Sequence, residues 1–256
     1  MSTAPTNSAR FSILGLPVDA VDMEFVLNEV DRLVHTADRP HYIVAGNPEK
    51  VYALQSNAFL RDFFRKAALV IPDGIGVVLA LRWFYRQHVQ RVPGADLMQA
   101  ICAIAPERGY RIFVYGASEE VSADAVQKLR VRYPGINIVG RANGYVKEVD
   151  MPALVQRINA LRPDILFVAL GSPRQEEWLH RWLPELKVKV CQGIGGTLDT
   201  IVGRVKRAPA AWQRLGLEWL YRLVRQPSRI VRQAVLIRFV WDMVVSITIR
   251  KAAELR

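Results

Sequence analysis

From residue 11 to about residue 200, short apolar, β-branched runs alternate with longer stretches whose apolar positions recur every three or four residues. The runs Phe11–Leu14, His41–Ala45, Ala68–Ile71, Arg111–Tyr115, Ile136–Val139, Asp164–Leu170 and Val188–Gln192 predict strands. Between them Val21–His35, Asp96–Ala105, Ser118–Arg132 and Met151–Leu161 carry the helical period. Ser118 with Glu119 and Glu120 behind it predicts a helix start, because a short polar side chain and anionic groups suit the N-terminal dipole. Strands separated by helix-length crossovers predict an α/β fold, with a Rossmann-like, mostly parallel sheet covered by helices on both faces. Ligands of such sheets sit beyond the carboxyl ends of the strands. The turns that follow the strands are therefore where chemistry is to be sought.

After Asp199 the alternation stops. Lys206–Pro209 reads as a linker, and Leu215–Arg225 and Ser228–Arg250 read as two helices parted by Gln226-Pro227, since proline breaks the bonding of the first. The expected organisation is a disordered N-terminus over 1–10, an α/β core over 11–203 and a helical appendage over 204–256. Charge sharpens this division. Gly203–Arg256 holds 12 Lys or Arg against 3 Asp or Glu, which is nine of the chain's eleven net positive charges. The same segment carries Trp212, Trp219, Trp241 and the apolar run Phe239–Ile249. A near-neutral body with a basic, aromatic, apolar tail predicts an anionic partner surface. The eleven-residue run is far short of the ~20 residues that span a bilayer, and residues 1–10 lack the apolar core of a secretory signal. The chain is expected to be cytoplasmic and attached to a membrane surface without crossing it. Cys102 and Cys191 have no metal or redox spacing and read as buried thiols. His35, His41, His88 and His180 are scattered, which argues against a histidine-built metal site.

Four turns and one arginine stripe carry candidate chemistry. In Gly193–Asp199 (GIGGTLD), the bare backbone N–H groups of Gly195 and Gly196 and the Thr197 and Asp199 side chains suit a diphosphate at a helix start, although a structural turn is as good a reading. The spacing is not that of the dinucleotide fingerprint, because Leu198 stands at the third glycine position. Asp73 follows a strand and precedes the apolar stretch Gly74–Leu81. Spacing alone favours a helix N-cap there, with a general base as the alternative. Arg91, beside the Pro93-Gly94 turn, reads as a surface arginine or as a phosphate clamp. In Gly171–Glu176 (GSPRQE), capping accounts for Glu176 but not for the clustering of polar side chains at the mouth of the sheet. The tail arginines Arg222, Arg225, Arg229 and Arg232 are spaced 3, 4 and 3, as for one helical face, with Pro227 between them a point where the register can reset; they lack interleaved acids, which favours phosphate or lipid over plain solvent. No DxD, GxSxG or HExxH occurs, so a metal–diphosphate motif and the commonest hydrolase motifs are not encoded.

Taken together, Asn47-Pro-Glu49, Pro72-Asp-Gly74, Arg91-Val-Pro-Gly94, Gly171–Glu176, Gly193–Asp199, Lys206-Arg-Ala-Pro209 and the downstream Gly216–Arg222 resemble the WecG/TagA/CpsF family, glycosyltransferase family 26. The resemblance implies a hexosyltransferase that moves a sugar from a UDP-sugar to a polyprenyl-diphosphate-linked saccharide at the cytoplasmic face of the bacterial membrane. Exopolysaccharide, enterobacterial-antigen-like or teichoic-acid-like glycans are the products it suggests. It further implies inversion at the anomeric centre, no metal and no cofactor. By position, Asp73 is then the base, and Asn47, Arg91 and Gln175 line the sugar and diphosphate pocket. The turn with Gly195, Gly196, Thr197 and Asp199 faces the nucleotide, and Arg222, Arg229 and Arg232 close over the site and meet phosphates. Many members have Thr two residues before the motif's Asn; this chain has Ala45, so that hydroxyl is absent here. A non-catalytic nucleotide-binding module that recruits partners to the membrane is the alternative. Nucleic-acid binding is the weakest reading, given the near-neutral body. The apolar face of the tail also leaves a homo-oligomer open.

Overall fold

The computed structural model describes residues 9–209, 211–212, 218–225 and 235–246. Six parallel strands make the central sheet: β3 (His41–Gly46), β4 (Leu69–Pro72), β5 (Arg111–Gly116), β6 (Asn137–Ala142), β7 (Ile165–Ala169) and β8 (Val190–Gly193). Their order across the sheet is β4-β3-β8-β7-β5-β6. Because all six are parallel, every strand delivers its carboxyl end to one rim.

Alternate strand residues feed two cores, as a period of two requires. Val44, Val70, Phe113, Tyr115, Leu166, Val168 and Cys191 point to one face. There α2 (Pro48–Ser56), α3 (Ala58–Lys66), α4 (Ile75–Tyr85), α7 (Met151–Leu161) and α8 (Arg174–Trp182) cover them. Ile43, Ile71, Ile112, Val114, Phe167 and Val190 point to the other face. That face lies under α1 (Met23–Thr36), α5 (Gly94–Arg108), α6 (Glu119–Arg132) and α9 (Thr197–Val202). Cys102 and Cys191 are buried, and burial pushes both thiols up to about 12.

The first apolar run is a correction to the sequence reading. It does not join the parallel sheet: β1 (Arg10–Ile13) folds back on β2 (Leu16–Asp19) as an antiparallel hairpin. Asp19 ties this hairpin to the body, accepting from Arg10 Nε and Nη2 at 2.8 Å each and from the Val70 backbone N–H at 2.7 Å. A buried carboxylate with three donors is well compensated.

The tail is not a separate layer. Its helical stretch 235–246 drives Phe239 and Met243, 3% and 9% exposed, into the first core. The Tyr52 hydroxyl on α2 donates to Asp242 Oδ2 at 2.8 Å, and Arg238 stacks over the Tyr52 ring at 4.5 Å. Phe239 stands over Gly76 of α4, so this helix lies directly beside the rim. The segment 206–209, read as a linker, is packed as well: Ala208 is 3% exposed and Arg207 is paired with Asp96. Among the described residues no helix is long and apolar enough to cross a membrane.

Candidate active site

The rim between β3 and β4 is stitched by one carbonyl. Gly46 O accepts from Asp73 N at 3.1 Å and from Gly74 N at 3.2 Å, which brings the Asn47 and Asp73 turns together. Gly74 is required by this approach, since a Cβ there would lie 2.7 Å from Pro48 Cδ. Asn47 caps α2, its side-chain oxygen accepting from Lys50 N at 3.1 Å.

Asp73 is not a cap. The N-cap of α4 is Gly74, and no side chain bonds to that helix start. The capping explanation favoured by spacing therefore fails, and the carboxylate, about a quarter exposed, is turned to other partners. Val92 N donates to Pro72 O at 2.9 Å and pins the Arg91 segment against the end of β4. Arg91 Nε then donates to the Asp73 carbonyl, while Nη2 reaches Asp73 Oδ1 at 3.4 Å and Glu218 Oε2 at 3.2 Å. Arg91 is thus no free surface arginine.

Glu218, on the tail helix Glu218–Arg225, is 5% exposed. Arg207 Nε stands 3.9 Å from its Oε1, and Arg207 Nη1 pairs with Asp96 Oδ1. The Asp96 hydrogen bond holds the Arg207 guanidinium above its ordinary range; the Glu218 and Asp73 charges add to this and partial burial opposes it. Asp73, Arg91, Glu218, Arg207 and Asp96 form one chain of alternating charge from the rim into the tail. Arg207 and Glu218 were missed as individual site residues. Both lie inside sequence motifs, but their pairing spans 127 residues for Arg91 with Glu218, which no local spacing reveals.

The turn after β8 is braced from α8. Gln175, 9% exposed, accepts from Gly195 N at 3.0 Å, and its amide would lie 2.7 Å from a Cβ on Gly193. Thr197, also buried, donates to Ile194 O; Gly196 is the N-cap of α9 and Asp199 lies in its first turn. The Gln175 side chain therefore shapes this turn from beneath. Glu176 brings a second correction. The start of α8 has no side-chain cap bond, and Glu176, 1% exposed, instead accepts from Lys50 Nζ at 2.6 Å. Lys50 Nζ also donates to Ser172 Oγ.

Of the sequence-based candidates, Asn47, Asp73, Gln175, Gly195, Gly196, Thr197 and Asp199 follow strands at the carboxyl rim, and Arg91, between α4 and α5, is brought to the end of β4 by the Val92–Pro72 bond. Asn47, Asp73 and Arg91 meet at one edge, while Gln175 and the Gly195–Asp199 turn meet after β8. The Arg222 and Arg225 side chains, and Arg229 and Arg232 altogether, lie outside the described residues. Among the described residues no three His, Cys, Asp or Glu are grouped to hold a metal ion.

A doubly covered parallel sheet with its carboxylates and guanidiniums gathered at the carboxyl rim defines an α/β protein of the Rossmann-like class. Residues 11–253 match the model of the glycosyl transferase WecG/TagA/CpsF family. The chain belongs to that family and is a glycosyltransferase.

Proposed function

We propose that the protein transfers a sugar, with inversion, from a UDP-sugar to a polyprenyl-diphosphate-linked saccharide at the cytoplasmic face of a bacterial membrane. The observation that carries this reading is Asp73: a rim carboxylate released from any capping duty and flanked by a guanidinium. In the reaction, Asp73 takes the proton from the acceptor hydroxyl as its oxygen bonds to the anomeric carbon, and the bond from that carbon to the UDP oxygen breaks. General-base assistance of this kind is worth roughly 10²–10⁴ in rate. Arg91 meets the negative charge that develops on the departing diphosphate, and the backbone of the Gly195–Thr197 turn and the tail arginines Arg222, Arg229 and Arg232 assist it. Guanidiniums then do the work given elsewhere to a divalent cation. Asn47 orients the sugar, Thr197 and Asp199 face the nucleotide, and Gln175 holds the turn that receives it.

The membrane reading is supported by the tail helix over 235–246. Opposite its buried Phe239 and Met243, it exposes Ile237, Val240, Trp241, Val244 and Val245, a contiguous face of about 140° at 100° per residue. An apolar, Trp-bearing face beside the rim suits insertion into headgroups next to the lipid-borne acceptor.

The test is a panel of UDP-sugars with polyprenyl-diphosphate-linked acceptors, using the full chain with and without EDTA. The expected result is one inverted glycosidic product, formed equally in both conditions. UDP binding without product from any donor and acceptor would instead mark a recruitment module. Activity that collapses on chelation would remove the metal-independent scheme.

A further inference from the structure

Lys50 spans the rim. It stands in the first turn of α2, where its backbone N–H donates to the Asn47 side chain, and its ammonium crosses to the turn after β7. There Nζ donates to Glu176 Oε1 at 2.6 Å and to Ser172 Oγ, and it lies 5.4 Å from the centre of the Phe64 ring. The same turn holds the loop after β8: Gln175 N donates to Gly171 O at 2.9 Å, and Gln175 Oε1 accepts from Gly195 N. Ser172 thus links the Asn47 edge to the turn proposed to receive the diphosphate. It is the exposed end of a network in which Glu176 is buried and Lys50 nearly so.

Bracing alone does not account for this arrangement. Glu176 spends one oxygen on Lys50, and its other, Oε2, is buried with no hydrogen-bond partner among the described residues. An unpaired buried oxygen is costly, and apolar side chains of the same volume would hold α2 to α8 at least as well. What the ion pair adds is a fixed ammonium at the edge of water. A hydroxyl that accepts from an ammonium is a stronger donor, and its hydrogen is turned away from Nζ. Because Glu176 cancels the charge of Lys50, the group that this hydroxyl suits is a neutral oxygen. We infer that Ser172 donates to a hydroxyl or acylamino oxygen of the donor's hexose, and that Lys50 is the positioning residue that aims it. This rests on the glycosyl-transfer reading above, in which the hexose lies between Asn47 and the turn that receives its diphosphate.

Ser172→Ala in the full chain tests this, because the side chain is exposed and the melting temperature should stay that of wild type. With the UDP-hexose and polyprenyl-diphosphate-linked acceptor that give product, kcat/KM for the donor should fall about tenfold. Calorimetric affinity for UDP, which lacks the hexose, should not change. Unchanged kcat/KM, a loss confined to the acceptor, or an equal loss of affinity for UDP would each overturn the contact. The part of Lys50 is read in the double variant Lys50→Met with Glu176→Gln, which keeps no buried charge. Adding Ser172→Ala to that background should cost less than about threefold, because the hydroxyl is no longer aimed. A full tenfold loss there would leave the pair a brace and nothing more. If no donor is ever transferred, the transfer reading falls, and calorimetry still reads the contact. At least one UDP-hexose of the panel should then bind wild type about tenfold more tightly than Ser172→Ala, with UDP binding both equally. If no UDP-hexose shows that difference, the contact falls as well.

Discussion

Two carboxylates at this rim are buried beside cations, and they differ in kind. Glu176 is 1% exposed and takes a 2.6 Å bond from Lys50, whose side chain is 11% exposed; both belong to the body. Glu218 comes from the tail, and its partners Arg91 and Arg207, 22% and 21% exposed, stand at 3.2 and 3.9 Å. The first pair is tight and dry. The second is looser, wetter and shared. A desolvated pair with short geometry is costly to separate, which suits a brace that fixes α2 against α8. A buried carboxylate whose guanidinium partners are a fifth exposed and stand farther off is less tightly fixed by them, which suits a rim that charged ligands approach. Burial alone does not distinguish scaffold from machinery here; the tightness and number of the contacts do.

The contrast can be broken first at the brace. Lys50→Met leaves Glu176 buried without its cation, and about 3–5 kcal/mol of stability should be lost in urea unfolding. The double variant Lys50→Met with Glu176→Gln should recover most of it. A single variant as stable as wild type would mean that the pair braces nothing. Arg91→Lys should behave in the opposite way, changing stability by less than about 1 kcal/mol because a cation is kept beside Asp73 and Glu218. The transfer rate should nevertheless fall about a hundredfold, since lysine cannot hold the Asp73 carbonyl and meet an anion at once. The smallest effect on stability belongs to the outer face of the tail. Ile237→Ser with Trp241→Ser alters side chains that are 77% and 68% exposed, so the melting temperature should hardly move. Flotation with anionic vesicles should fall about tenfold. Equal flotation would turn that face toward a protein partner.

The sheet was legible because its strands are nearly unbroken apolar runs buried on both faces, and the helix Met151–Leu161 was bounded correctly by its period. Phe11–Leu14 misled, because a short apolar run carries no mark of parallel or antiparallel pairing, and the partner strand Leu16–Asp19 contains a proline. At the site, the turns could be read but the wiring could not. Asp73 and Glu176 both sit where a cap is usual, and only the fold shows that neither caps. Lys50 drew no attention because its partner is 126 residues away. Glu218 was hidden as one of three acids in a tail with 12 Lys or Arg, although that scarcity was the available signal: an acid set among arginines is placed to meet one.

The central claim is that Asp73 is the base and that its rim is where transfer occurs. Single-turnover transfer by Asp73→Asn, compared with wild type at saturating donor and acceptor and with UDP affinity measured on both, tests it most directly. The account predicts a rate lower by roughly 10²–10⁴ with UDP still bound and the fold intact. A variant that transfers sugar at the wild-type rate would contradict it.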